Sequence, residues 1–130
     1  MTPEGRVKRK VDAVLRGYAG CYIIKPATGG YGSSGVPDYV VLLSGHFLGI
    51  ECKSGGNEPT QLQIKNLYDI AKAGGYSFVV NEDNINQFEE LLCGIMSKKV
   101  SPGLVLVTPQ MMSRKRSGNS LPPVMQSGDQ

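Results

Sequence analysis

The chain has 130 residues, 40% of them hydrophobic, which suits one domain with a real core. Its net charge of +3 points only weakly to an anionic partner. Cys21, Cys52 and Cys93 are widely spaced and form no CxxC pair, and His46 is the only histidine, which argues against a disulfide framework and a zinc site.

Thr2-Pro3-Glu4 is a helix-start signal: a hydroxyl cap, a proline in the first turn and an acid near the positive end of the dipole. Val7, Val11, Val14, Leu15 and Tyr18 then recur at helical spacing. Arg6, Lys8, Arg9, Lys10 and Arg16 lie mostly off that apolar face. Cys21 to Ile24 reads as a short strand. The run from Ala27 to Gly35 has too many glycines for a packed element and reads as a loop. It precedes a strand and lacks the Lys-Ser/Thr of a P-loop, so nucleotide binding of that kind is rejected. Tyr39–Leu43 and Phe47–Lys53 form a hairpin around Ser44-Gly45-His46. Thr60 caps a helix whose apolar face is Ile64, Leu67, Tyr68 and Ala71, closed by Gly74-Gly75. Ser77–Val80 is a further strand, and a third helix begins at Ile85. Leu104–Thr108 is a candidate last strand. From Ser113 to Gln130 the core pattern fades into Ser, Gly and Pro, as in a disordered tail. The order implies an α/β layered fold, a mixed sheet flanked by helices.

No apolar stretch reaches membrane-spanning length, and the residues after Met1 lack a secretory hydrophobic region. A soluble, cytoplasmic protein is expected.

The chemistry concentrates at Pro37-Asp38 and Glu51-Cys52-Lys53. Side chains alternate along a strand, so Glu51 and Lys53 share a face that Cys52 does not. The hairpin can bring Asp38, where its first strand starts, beside Glu51, where its second ends. Two converging carboxylates suit Mg²⁺ or Mn²⁺, which take oxygen ligands and keep several waters. The backbone carbonyl of Cys52 is a reasonable further ligand. Such an ion polarises phosphate oxygens and lowers the pKa of water, while Lys53 stabilises developing charge. Each residue alone is equally at home as a turn acid or a solvated strand end. Apolar neighbours and Gly-rich flanks on both sides favour a site.

Gly35-Val36-Pro37-Asp38, Ile50-Glu51-Cys52-Lys53-Ser54 and Thr60-Gln61-Leu62-Gln63 resemble the PD-(D/E)xK nuclease superfamily. Within it they are most similar to the VRR-NUC group, in its short stand-alone phage-type members. Thr2-Pro3-Glu4-Gly5, the Gly29-Gly30-Tyr31-Gly32 loop and Gly74-Gly75-Tyr76-Ser77-Phe78-Val79-Val80 extend the likeness to about Asn84. The resemblance implies a restriction-endonuclease-like αβββαβ core in a nuclease domain over residues 1–96. An extension over 97–112 and a tail over 113–130 would follow. It implies a metal-dependent DNA endonuclease, with Asp38, Glu51 and Glu4 as metal ligands, Lys53 as the catalytic lysine, and Glu4 and Gln63 as supporting members of the catalytic site. Glu4 sits at helical spacing from Val7 and Val11, although an acid there also complements the helix dipole. Helical geometry barely separates Gln63 from Gln61, which stays an alternative.

Tyr31, Ser33 and Ser34 on the loop, and Lys8 and Arg9 on the first helix, are candidate contacts to the DNA backbone. Similarity to junction resolvases implies branched DNA as substrate and a homodimer, since symmetric cleavage needs two sites. A phage-encoded chain would work in the host cytoplasm. The competing expectation is a DNA-binding accessory module that keeps the fold without strong activity alone.

Overall fold

The computed structural model describes residues 1–27 and 35–116. Helix α1 spans Pro3–Arg16, strand β1 Cys21–Ile24, β2 Tyr39–Leu43 and β3 His46–Cys52. Helix α2 spans Gln61–Lys72, β4 Tyr76–Val80, α3 Ile85–Met96, β5 Val105–Leu106 and α4 Pro109–Arg116. The five strands form one mixed sheet in the order β1-β2-β3-β4-β5. The first three are antiparallel neighbours, and β3, β4 and β5 run parallel. Parallel strands need a crossover, and α2 and α3 supply the two.

Capping defines where the helices begin. The Thr2 hydroxyl accepts the Gly5 N–H at 3.0 Å. Thr60 and Gln63 form a reciprocal capping box at the start of α2, with the Gln63 N–H donating to Thr60 Oγ1 at 3.2 Å and the Thr60 N–H to Gln63 Oε1 at 2.8 Å. The core lies in two layers. Val7, Val11 and Leu15 of α1 and Phe88, Leu92 and Ile95 of α3 pack with Tyr39, Val41, Leu48, Ile50, Cys52, Phe78 and Val80 from one sheet face. On the other face Ile64, Leu67 and Ala71 of α2 cover Val79, Val105 and Val107, with Met111 of α4. Side-chain alternation along β3 and β4 divides the layers, so Cys52 belongs to the first and Glu51, paired with Val79, faces the second.

Three expectations are corrected. The last strand covers only Val105–Leu106, not Leu104–Thr108. Residues 113–116 are the end of α4 and not the start of a tail, while 117–130 lie outside the described residues. The signal was present: Thr108-Pro109 repeats the Thr-Pro start of α1, and Thr108 Oγ1 accepts the Met111 N–H at 3.3 Å. Residues 104–111 are thus continuous with the domain's core and not an appendage, Leu104 to Thr108 and Met111 all being buried. No helix among the described residues is long and apolar enough to cross a membrane.

Candidate functional site

The C-terminal end of β3 carries the candidate site. Glu51 is only 2% exposed, an unusual position for a carboxylate. Its Oε2 receives Gln63 Nε2 at 3.0 Å and lies 3.4 Å from Lys53 Nζ. Its Oε1 is buried without a hydrogen-bond partner among the described residues. Burial, and then the negative charge of Asp38, push the Glu51 carboxyl up to about 7, with Lys53 opposing them. Lys53 is held from behind, its N–H donating to the Val80 carbonyl at 3.0 Å and extending the β3–β4 ladder past Cys52.

Asp38 stands one residue before the Tyr39–Ile50 pair of the hairpin, which places it beside Glu51. Its Oδ2 accepts the Cys52 N–H at 2.8 Å. Cys52 therefore serves the site through its amide, while its thiol is sealed in the core. Two turns of α1 complete the cluster. Lys8 Nζ lies 3.6 Å from Glu4 Oε2 and 3.6 Å from Asp38 Oδ1. The Tyr39 hydroxyl donates to the Lys8 carbonyl at 3.0 Å and ties the helix to β2. Burial alone lowers the Lys8 pKa, but Asp38 and Glu4 outweigh it and the net shift is upward.

The structure thus brings Glu4, Asp38, Glu51, Lys53 and Gln63 to one end of the sheet. Gln63, not Gln61, reaches Glu51; Gln61 is exposed. Lys8 departs from expectation. Its spacing puts it among the basic residues lying mostly off the helix's apolar face, whereas the structure sets it between two acids of the cluster. The readable signal was its i, i+4 spacing from Glu4. Arg9 is exposed on the neighbouring turn. Tyr31, Ser33 and Ser34 lie outside the described residues. His46 begins β3, at the end remote from Glu51, and stacks edge-on against Tyr76 with ring centroids 5.8 Å apart.

A polar network braces the same end of the sheet and was not foreseen. Glu82 Oε1 accepts the Gly55 N–H at 2.7 Å, in the loop that follows Lys53. Buried Asn81 donates to Gln110 Oε1 at 2.9 Å, and Gln110 donates to Asp83 Oδ2 at 2.9 Å. The α4 segment therefore helps hold the loops that border the site.

Among the described residues no group of three His, Cys, Asp or Glu side chains gathers to hold a metal. Two carboxylates suit a hard ion that keeps most of its waters, which needs no third side chain. The unpartnered Oε1 of Glu51 supports that fit, because a buried carboxylate oxygen is costly without a donor or a cation. No family model matches the chain, and no curated protein or solved structure matches it.

Proposed function

We propose that the chain is a divalent-metal-dependent nuclease that hydrolyses DNA phosphodiester bonds. In this reading it is a stand-alone VRR-NUC member of the PD-(D/E)xK superfamily with a restriction-endonuclease-like core. The observation that carries it is Glu51: a buried carboxylate with one oxygen held by Lys53 and Gln63 and the other unpartnered, beside Asp38. The order of the first six elements, αβββαβ, agrees with that core.

Asp38 and Glu51 would hold Mg²⁺ or Mn²⁺, with the Cys52 carbonyl as a further oxygen. A bound divalent ion supplies Lewis-acid polarisation of the phosphodiester and makes water a better nucleophile near neutral pH. The protein's own share is charge and position. Lys53, anchored through its backbone to β4, presents its ammonium where negative charge develops on the phosphate. Gln63 fixes the Glu51 carboxylate through an amide already oriented by the Thr60 N–H. Glu4 adds negative charge at the rim.

Branched DNA cut by a homodimer is the form of this activity we favour. Tyr22, Leu42 and Phe47 are cross-strand neighbours exposed on the sheet face that carries α2, and they offer an apolar row for a second copy. The test is a panel of labelled junction, flap, nicked and single-stranded DNAs with Mg²⁺, Mn²⁺ or EDTA, run beside a solution mass measurement. Cleavage should require the metal and disappear in Asp38→Ala and Lys53→Ala. Cleavage retained by clean preparations of both variants would refute the assignment.

A further inference from the structure

Beside the carboxylate cluster lies an open cleft of about 450 Å³ between the first turns of α1 and the end of β1. Its functional lining is Lys8, Arg9, Asp12, Lys25, Asp38 and Tyr39. Lys8 and Asp38 belong to both the cleft and the site, so the two are continuous. We propose that this cleft binds a backbone phosphate of the DNA strand next to the one being cut, with Lys25 and Arg9 as its principal contacts. The proposal rests on the nuclease reading and adds a binding subsite to it.

Charge and shape both favour a phosphate. Lys25 is held in place, 3.0 Å from Asp12 Oδ2 and with its ammonium 5.6 Å from the centre of the Tyr39 ring. Holding a flexible lysine this way reduces the entropy lost when it binds an anion. Arg9 is exposed and makes no ion pair among the described residues. A base would want an exposed aromatic face to stack on. Tyr39 is buried, its hydroxyl committed to the Lys8 carbonyl, and it offers none. Among the described residues the cleft can therefore hold sugar-phosphate but offers no platform for a base, as expected of a contact that positions a strand without reading its sequence.

The test measures binding without cleavage: fluorescence anisotropy of a labelled DNA duplex in EDTA, titrated at increasing salt. Each phosphate contact contributes about 0.9 to the slope of log affinity against log salt. Lys25→Gln should weaken binding roughly three- to tenfold and lower that slope by about 0.9, and adding Arg9→Gln should lower it again by a similar step. Asp12→Asn keeps an amide oxygen that can position Lys25 but removes the negative charge that competes with a phosphate, so it should leave the slope intact and tighten binding. A purely structural role for the Lys25–Asp12 pair predicts instead that both single variants weaken binding. That result would overturn the inference, as would an unchanged slope in Lys25→Gln, Arg9→Gln and their combination. In either case a wild-type chain that still binds and cuts DNA leaves the nuclease reading standing. No duplex binding together with no cleavage by the unaltered chain would overturn both. Arg9 is a surface position, so its variant remains informative if Lys25→Gln fails to fold.

Discussion

Glu51→Gln should make the metal-free protein more stable at neutral and alkaline pH while destroying its activity. The Glu51 carboxyl titrates near 7 in the folded chain against an ordinary 4.5, because it is buried and faces Asp38. At about 1.4 kcal/mol per pH unit, the folded state bears a penalty of about 3 kcal/mol once the group is ionised in both states. The sign follows from the upward shift. Below pH 4.5 the carboxyl is neutral in folded and unfolded chains and costs nothing. Between 4.5 and 7 the unfolded chain ionises first, so stability falls as pH rises, and above 7 the loss is complete. Glutamine keeps the shape and an acceptor for Gln63 but has no charge to bury. Urea unfolding in EDTA at a series of pH values from 4 to 8.5 measures this. Wild type and variant should coincide at the acid end and diverge through the window, to a difference equivalent to on the order of 10 °C in melting temperature. Titrations of groups remote from Glu51 act on both proteins and cancel. Parallel curves, or a variant less stable than wild type at pH 8, would refute the reasoning that Glu51 is a strained, buried charge awaiting a counter-ion.

Three further outcomes are expected. Mg²⁺, Mn²⁺ or Ca²⁺ at about a hundred times its dissociation constant should raise stability by about 2.7 kcal/mol; thermal melts should show the rise in wild type and lose it in Asp38→Ala and Glu51→Gln. Gln63→Ala removes both a capping-box partner and the donor to Glu51, and should cost about 1–2 kcal/mol in urea unfolding with a large loss of cleavage, whereas exposed Gln61→Ala should change neither appreciably. Gly35→Ala should cost about 1–3 kcal/mol by the same measurement, because Gly35 has φ +72° and an added Cβ would lie 2.6 Å from Leu62 Cγ and 2.8 Å from the Leu62 carbonyl carbon.

The legible parts of the molecule were those written in local chemistry. Periodicity and caps delimited α1, α2 and α3 to within a residue or two, and alternation assigned Glu51 and Lys53 to one face and Cys52 to the other. What stayed hidden depends on contacts between distant segments. Gly35 looked like one more loop glycine, and only its seat against Leu62 of α2 explains why a side chain is unwelcome there. Lys8 looked like a surface cation, since nothing within α1 reveals that Tyr39 anchors its carbonyl and turns its ammonium toward Asp38. The C-terminal segment is hard to read from sequence for a different reason. Leu104 to Val107 is a continuous apolar run, which carries no alternation, and the Thr108-Pro109 cap leads into a largely polar segment.

The position of the site follows from the topology. Antiparallel β2 delivers Asp38 at its start, and β3 delivers Glu51 and Lys53 at its end, so one edge of the sheet receives acids from two chain directions. From β3 onward the strands run parallel, and their C-terminal ends, where α/β sheets usually hold ligands, gather at that same edge. The crossover that makes β4 parallel to β3 must be a helix over the sheet, and the first turn of that helix is where Gln63 meets Glu51. The second crossover and α4 then bring Asn81, Glu82 and Gln110 to brace the loop after Lys53. A buried, partly unsatisfied carboxylate is tolerable only where its surroundings cannot relax to hydrate it. The two core layers, closing on β3 from both faces, provide that rigidity, and the energy they contribute offsets the cost of burying Glu51.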